Sequence, residues 1–169
     1  VTIPEYLKMI EYKTAVLVGA AMKMGAIVAR ASLEDQNAIY DFGRYLGIAF
    51  QLQDDYLDAF GNPETFGKQV GGDILENKKT YLYLKTLDLG SSIDKLSLVE
   101  TVSSTSISDR DKVEFVKVLF NKSGASEATQ QAVKNYTDKA FEVLKTLNIS
   151  EDKKQLLRVF GEQLMNRRV

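Results

Sequence analysis

The chain has 169 residues, with 22 basic and 23 acidic side chains, and it contains no histidine, cysteine or tryptophan. Without histidine or cysteine it cannot form a histidine-activated serine or cysteine nucleophile, a disulfide or an ordinary structural zinc site. A net charge of −1 gives no electrostatic support for nucleic-acid binding. Because histidine and cysteine are absent, any chemistry must come from carboxylates, lysines, arginines, hydroxyls or a hard cation bound by oxygen.

Two helical segments are predicted at the start of the chain. Thr2 and Glu5, three residues apart, form the pattern of a capping box before a helix over residues 4–17. A second segment, residues 20–31, is rich in alanine and glycine, which allows neighbouring backbones to approach closely. The apolar tract 15–29 is interrupted by a lysine and two glycines and is too short to span a bilayer. We therefore expect no membrane span and, because the chain has no cysteine, a location in the cytoplasm.

A third and much longer helix is predicted from residue 32 to Phe60. With about 100° of rotation per residue, its apolar side chains cover most of the circumference, which is typical of a buried helix. The remaining polar stripe contains Gln51, Asp54, Asp55 and Asp58. Carboxylates this close repel one another, and burial would require them to be paired or bound to a cation such as Mg²⁺. Solvation of the stripe is the alternative.

An irregular, glycine-rich segment over residues 61–72 follows the acidic stripe and contains Lys68. Asp73 is predicted to cap the next helix, with Glu76 at the capping-box position and a stop at Gly90. Backbone N–H groups, a lysine and a helix N-terminus are a common way to bind phosphate, although a plain turn explains the same residues. The spacing of the glycines and the lysine differs from that of a P-loop.

The rest of the chain continues the helical pattern, and no segment shows the sustained period-two alternation of a β-strand. The sequence therefore predicts an all-α fold. Its last four helices are expected at residues 93–102, 109–121, 126–147 and 151–168.

Three short motifs together resemble a known family. They are F-Q-L-Q-D-D-Y-L-D at residues 50–58, G-K-Q-V-G-G-D-I at 67–74 and N-K-K-T at 77–80. This combination is similar to the second aspartate-rich region of the isoprenyl diphosphate synthases, the trans-prenyltransferases of the farnesyl and geranylgeranyl diphosphate synthase type. The resemblance is specific over residues 13–80 and implies an isoprenoid-synthase helical bundle, of which this chain holds the C-terminal portion.

The resemblance also implies roles for individual residues. Asp54 would bind Mg²⁺, with Asp55 and Asp58 as further ligands or as holders of its bound water. Thr14 and Gln51 would direct their oxygens towards the allylic carbon, where positive charge develops. Basic side chains are expected to bind the diphosphate groups: Lys13, Lys68, Lys78, Arg167 and Arg168. Solvation is the alternative for Lys78 and for the basic C-terminus.

The implied reaction joins isopentenyl diphosphate to an allylic diphosphate, which ionises with the help of Mg²⁺ and the lysines. The released diphosphate takes the final proton, so the reaction needs no histidine or cysteine, and homodimers are usual in the family. Two other interpretations are a non-catalytic partner subunit and a helical binding module with a solvated acidic stripe. Class I terpene cyclases share the fold, but their second metal motif is of a different type.

The family's first aspartate-rich motif does not occur in the sequence, whose only Asp-Asp pair is Asp54–Asp55. We therefore expect residues 1–169 to be the C-terminal part of a single helical domain that needs an N-terminal half. Alone, the chain is expected to bind diphosphate weakly or not at all. We also expect it to expose apolar surface or to associate.

Overall fold

The computed structural model describes residues 1–62 and 70–166, and this part of the chain is helical, without a β-strand. The all-α prediction is therefore confirmed for the described residues. In chain order the helices are α1 (Ile3–Ile10), a π-helical turn (Glu11–Ala15), α2 (Val16–Val28), α3 (Leu33–Phe60), α4 (Gly72–Leu75), α5 (Tyr81–Leu89), α6 (Ser92–Ser103), α7 (Asp109–Lys122), α8 (Ala125–Thr146) and α9 (Glu151–Met165).

The predicted capping box at the N-terminus is confirmed. The Thr2 N–H group donates to Glu5 Oε2 at 2.7 Å, and the Glu5 N–H group donates to Thr2 Oγ1 at 3.4 Å. These two bonds satisfy N–H groups that an α-helix leaves without a partner in its first turn. The capping box therefore fixes the first turn of α1, and the buried residue Tyr6 lies in the same turn of the chain.

The first two predicted helices form one continuous helical run, because a π-helical turn joins α1 to α2. The buried positions along this run are Tyr6, Ile10, Ala15 and Gly19. Their spacing is four, five and four residues, and the step of five coincides with the π-helical turn, whose hydrogen bonds reach one residue further than those of an α-helix. The predicted separation between residues 17 and 20 was wrong, since no break occurs there.

The chain divides into two compact units. The first contains residues 1–6 and 52–131, and the second contains residues 7–51 and 132–166 among those described. Helix α3 contributes to both, with its residues up to Gln51 in the second unit and those from Leu52 in the first. Consistent with the predicted buried helix, no residue of α3 from Ala38 to Phe60 is exposed.

The core of the first unit is formed where α5, α6 and α7 pack together. Leu82, Leu98 and Val116, one from each helix, are almost completely buried. Asp94 on α6 is also buried, and its Oδ1 lies 2.6 Å from Nζ of Lys122 at the end of α7. This ion pair joins the start of α6 to the end of α7, so that the buried carboxylate has a partner of opposite charge.

The core of the second unit lies between α3 and α8. The apolar side chains that form it are Ile39, Phe42, Leu46, Ala140, Leu144 and Leu147. On another face of α3, a Cβ atom added to Gly47 would lie 2.6 Å from the Cα atom of Ala15, and one added to Gly43 would lie 3.0 Å from the Cα atom of Gly19. The close approach of neighbouring backbones expected for residues 20–31 is thus observed at Ala15 and Gly19, just before that segment. Gly25, inside it, has no such neighbour within 4 Å.

The helix predicted from Asp73 to Gly90 is in fact two helices, α4 and α5. Asp73 does not cap α4, because the N-cap position belongs to Gly71, whose φ angle is 84°. Asn77, with a φ angle of 57°, follows α4, and the Thr80 side chain then caps α5. The left-handed backbone of Asn77 interrupts the helical hydrogen bonds, which the periodicity of the side chains does not reveal.

The part of the chain that the structure describes contains no helix long and apolar enough to cross a membrane. Some large apolar side chains are exposed on α2, α6 and α9. Examples are Leu17, Val28, Ile93, Leu96 and Leu156. Association through these side chains stays a prediction.

Candidate functional site

The acidic turn of α3 contains one buried aspartate between two half-buried ones. Asp55 is 6% exposed, whereas Asp54 and Asp58 are more accessible. Oδ2 of Asp55 accepts a hydrogen bond from the Tyr6 hydroxyl and a second from the Tyr81 N–H group at 3.1 Å. Burial raises the pKa of Asp55 to about 7, while the two hydrogen bonds act in the opposite direction. The partners of this buried carboxylate are a hydroxyl and an N–H group, neither of them charged, so its pairing with a cation stays a prediction.

Asp58 is held by the backbone that precedes and begins α4. Its Oδ2 accepts from the Asp73 N–H group at 3.0 Å, and its main-chain oxygen accepts from the Gly71 N–H group at 2.6 Å. Partial burial raises the pKa of Asp58 to about 6, against the effects of the Asp73 N–H group and the charge of Lys78. A Cβ atom added to Gly71 would lie 2.6 Å from Cγ1 of Val113, so this close return of the chain requires glycine.

Asp73, predicted only as a helix cap, lies beside the acidic turn, because its N–H group donates to Asp58. Its Oδ1 lies 2.7 Å from Nζ of Lys78, which also contacts Glu76 Oε2 at 2.8 Å. These two carboxylates raise the pKa of the Lys78 ammonium group. The structure thus brings Lys78 together with carboxylates of α4, and its predicted contact with diphosphate stays a prediction. The G-G-D-I motif was the available signal that Asp73 belongs with the acidic turn.

Lys13, Thr14 and Gln51 lie in the second unit, where the π-helical turn meets α3. Thr14 Oγ1 donates a hydrogen bond to Gln51 Oε1 at 3.0 Å. Lys13 is exposed, and Thr14 is half-buried. The structure therefore brings together the two side chains that were predicted to direct oxygens at substrate. The π-helical conformation of Lys13 and Thr14 was not predicted, and such turns occur frequently at functional sites.

Three predicted diphosphate ligands, Lys68, Arg167 and Arg168, lie outside the described residues. Among residues 1–62 and 70–166, no three acidic side chains are grouped closely enough to hold a metal ion by themselves. The donor set of the acidic turn still suits a hard cation, because Mg²⁺ typically takes one or two protein carboxylates and completes its coordination with water and substrate phosphates. Asp54 and Asp58, half-buried and four residues apart on α3, provide such a pair.

Comparison with known proteins identifies the same family that the sequence motifs resemble. A family model described as Polyprenyl synthetase matches residues 1–119. The chain is 36% identical over 159 residues to a short chain isoprenyl diphosphate synthase of Methanothermobacter thermautotrophicus, covering 94% of this chain and 48% of that protein. The chain thus spans about half the length of the curated relatives it matches.

Two solved structures have the same fold. A geranylgeranyl pyrophosphate synthase is 49% identical with a TM-score of 0.92, and the match covers 100% of this chain and 53% of that one. A polyprenyl synthase from Caulobacter crescentus, solved with calcium and isoprenyl diphosphate, is 30% identical with a TM-score of 0.90 and covers 100% and 51% of the two chains. The predicted isoprenoid-synthase fold is confirmed, and the chain belongs to the polyprenyl synthetase family.

Proposed function

We propose that the protein containing this chain is a trans-prenyltransferase, which condenses isopentenyl diphosphate with an allylic diphosphate to form a longer linear prenyl diphosphate. The acidic turn of α3 carries the proposal: in a chain of this family, Asp55 is buried and hydrogen-bonded, while Asp54 and Asp58 stay half-buried. Because the chain spans about half the length of its relatives, we assign the activity to the whole protein. The isolated chain is expected to be inactive.

Magnesium is the cofactor that suits this donor set, since carboxylate oxygens are the hard ligands it prefers. Of the three predicted ligands, Asp54 and Asp58 would hold the cation directly, and Asp55 would steady the turn between them. When bound, magnesium neutralises the negative charge that develops on the leaving diphosphate.

Basic side chains would bind and orient the diphosphate groups. Lys13 is exposed on the π-helical turn, so its ammonium group is accessible to a phosphate oxygen. Lys78 is already bonded to two carboxylates, and it would act by its charge rather than as a direct ligand. Lys68, Arg167 and Arg168 are proposed for the same task from the sequence resemblance alone.

Thr14 and Gln51 would stabilise the positive charge that develops on the allylic carbon. Because Thr14 donates its hydroxyl proton to Gln51 Oε1, its own oxygen keeps lone pairs that an electron-poor carbon can approach. Replacement of Thr14 by valine keeps the shape of the side chain and removes this oxygen. We expect Thr14→Val to lower kcat by about a hundredfold, the lower end of the usual effect when one group that stabilises developing charge is removed. An unchanged kcat would contradict this role.

The proposed function is tested by calorimetric titration of the whole protein with a bisphosphonate, a stable analogue of diphosphate. Binding should require Mg²⁺ and should disappear in Asp54→Ala, while Asp138→Ala serves as a matched control because Asp138 is exposed on α8. Binding that is independent of Mg²⁺ and of Asp54 would contradict the enzyme assignment. Product formation from the two diphosphates then separates an enzyme from a non-catalytic partner subunit.

The same proposal includes a homodimeric assembly, which the resemblance to the family implies, and a cytoplasmic location, which fits the absence of cysteine. Sedimentation of the whole protein at micromolar concentration tests the first point, and a monomer there would contradict it.

A further inference from the structure

Tyr6 makes a buried contact with the acidic turn that the proposed reaction does not explain. Its ring is 4% exposed and lies against the ring of Tyr81, with centroids 6.2 Å apart. Its hydroxyl donates to Asp55 Oδ2, across 49 positions of sequence. Within the first unit, the start of the chain is therefore bonded to the acidic turn of α3.

The two hydrogen bonds to Asp55 fix the orientation of its carboxylate. Both the Tyr6 hydroxyl and the Tyr81 N–H group bond the same oxygen, Oδ2, and Oδ1 takes no part in either bond. Two donors on one oxygen restrict rotation about the bond to the carboxylate more than one donor does. A hydrogen bond to a carboxylate also offsets part of the cost of burying its charge.

The Tyr6 hydroxyl remains a proton donor under ordinary conditions. Burial and the negative charge of Asp55 both raise the pKa of Tyr6 above its usual value. Asp54 and Asp58 flank Asp55 at one and three residues on the same helix, so a shift of the Asp55 main chain would move both of them. Repulsion among the three carboxylates favours such a shift when the Tyr6 bond is absent.

We propose that Tyr6 is a positioning residue for the metal-binding turn: by bonding Asp55 Oδ2, it sets the geometry in which Asp54 and Asp58 hold a divalent cation. This inference rests on the proposed function. It also gives the capping box of Thr2 and Glu5 an indirect part in cation binding, because that box fixes the helical turn from which Tyr6 extends.

The first test measures Mn²⁺ binding to the whole protein by electron paramagnetic resonance, with the bisphosphonate present in excess, because the cation would complete its coordination with phosphate-type oxygens. Tyr6→Phe keeps the ring and its contact with Tyr81 and removes only the hydroxyl. We expect Mn²⁺ affinity to fall by about tenfold, the lower end of the usual effect for groups that orient metal ligands. Tyr83→Phe is the matched control, since Tyr83 is a buried tyrosine of α5 in the same unit. It should bind Mn²⁺ like the wild type.

A double-mutant cycle separates positioning from general packing. In an Asp55→Asn background, Tyr6→Phe should cause little further loss of Mn²⁺ affinity, because the carboxylate through which Tyr6 acts has been replaced. An equal loss in both backgrounds would overturn the inference. If the wild-type protein itself binds no divalent cation, the proposed function and this inference both fail. If the wild type binds and Tyr6→Phe binds equally well, only the inference fails.

A second measurement does not depend on the stability of Tyr6→Phe. 3-Fluorotyrosine introduced at position 6 keeps the hydroxyl and reports its surroundings by fluorine NMR. Addition of Mg²⁺ in the presence of the bisphosphonate should move this resonance and leave that of 3-fluorotyrosine at position 83 in place. A position 6 resonance that does not respond to Mg²⁺ would overturn the inference.

Discussion

Replacement of Gly71 by alanine tests how the chain closes around Asp58. Gly71 has a φ angle of 84°, a conformation that costs an L-residue about 1–2 kcal/mol. The new Cβ atom would also lie 2.6 Å from Val113 Cγ1, closer than real Cβ contacts, so Val113 must move. Overpacking of this kind typically costs about 1–3 kcal/mol. Together these effects predict a loss of about 2–5 kcal/mol in the free energy of unfolding.

Gly124 provides a matched control for the backbone effect alone. Its φ angle is 79°, and a Cβ atom added there would meet no heavy atom within 4 Å. Gly124→Ala should therefore cost only about 1–2 kcal/mol. Urea denaturation of the whole protein and its two variants measures both losses. Equal losses for Gly71→Ala and Gly124→Ala would refute the argument that Val113 limits the space beside Gly71.

Removal of the Val113 methyl groups gives an independent check. In a Val113→Ala background, Gly71→Ala should cost less than in the wild type, because the Cγ atoms at 2.6 and 2.7 Å are gone and only the Cβ atom of residue 113, at 3.2 Å, remains close. An unchanged cost in that background would contradict the steric explanation. Because the Gly71 N–H group bonds the main-chain oxygen of Asp58, Gly71→Ala should also weaken Mn²⁺ binding, which Gly124→Ala should leave intact.

Three further predictions concern packing, pH and metal removal. Gly47→Ala should lower the free energy of unfolding by about 1–3 kcal/mol, because its Cβ would meet the Ala15 backbone. Gly25→Ala, in open space, should raise it by about 0.5–1 kcal/mol, and a loss there would contradict the helix-propensity argument. Lys122 and Ser91 lower the pKa of Asp94, so its contribution to stability is present above the unfolded pKa of about 3.9 and is lost as the pH falls through the lowered value. Urea midpoints of wild type and Asp94→Asn should therefore converge in acid, and a constant difference would contradict this. Chelation by EDTA should stop prenyl diphosphate formation until Mg²⁺ is restored, and continued turnover would argue against a metal site.

The fold could be predicted because helical periodicity is a local property of the sequence. Helix α3 is apolar around most of its circumference, and the lack of any exposed residue from Ala38 to Phe60 follows from that pattern. The π-helical turn was missed for a related reason. Apolar residues flank the buried positions of α1 and α2, so the step of five residues between Ile10 and Ala15 becomes visible only once burial is known.

The candidate site could be predicted only in part, because its contacts join distant segments. The D-D-Y-L-D motif identified the acidic turn, but nothing near Tyr6 in the sequence indicates a bond to Asp55. Asp73 was interpreted as a cap because aspartate commonly begins helices. Its backbone N–H group instead donates a hydrogen bond to Asp58 Oδ2, and this contact depends on the left-handed conformation of Gly71.

The π-helical turn of residues 11–15 has a consequence for how this helix tolerates changes in length. A π-helical turn is equivalent to one residue inserted into an α-helix. Deletion of one residue there would restore a spacing of four between the buried positions. We expect it also to change the rotation at which Lys13 and Thr14 leave the backbone, and so their place relative to Gln51. Such a deletion, made outside Lys13 and Thr14, would disturb the proposed site without removing either side chain.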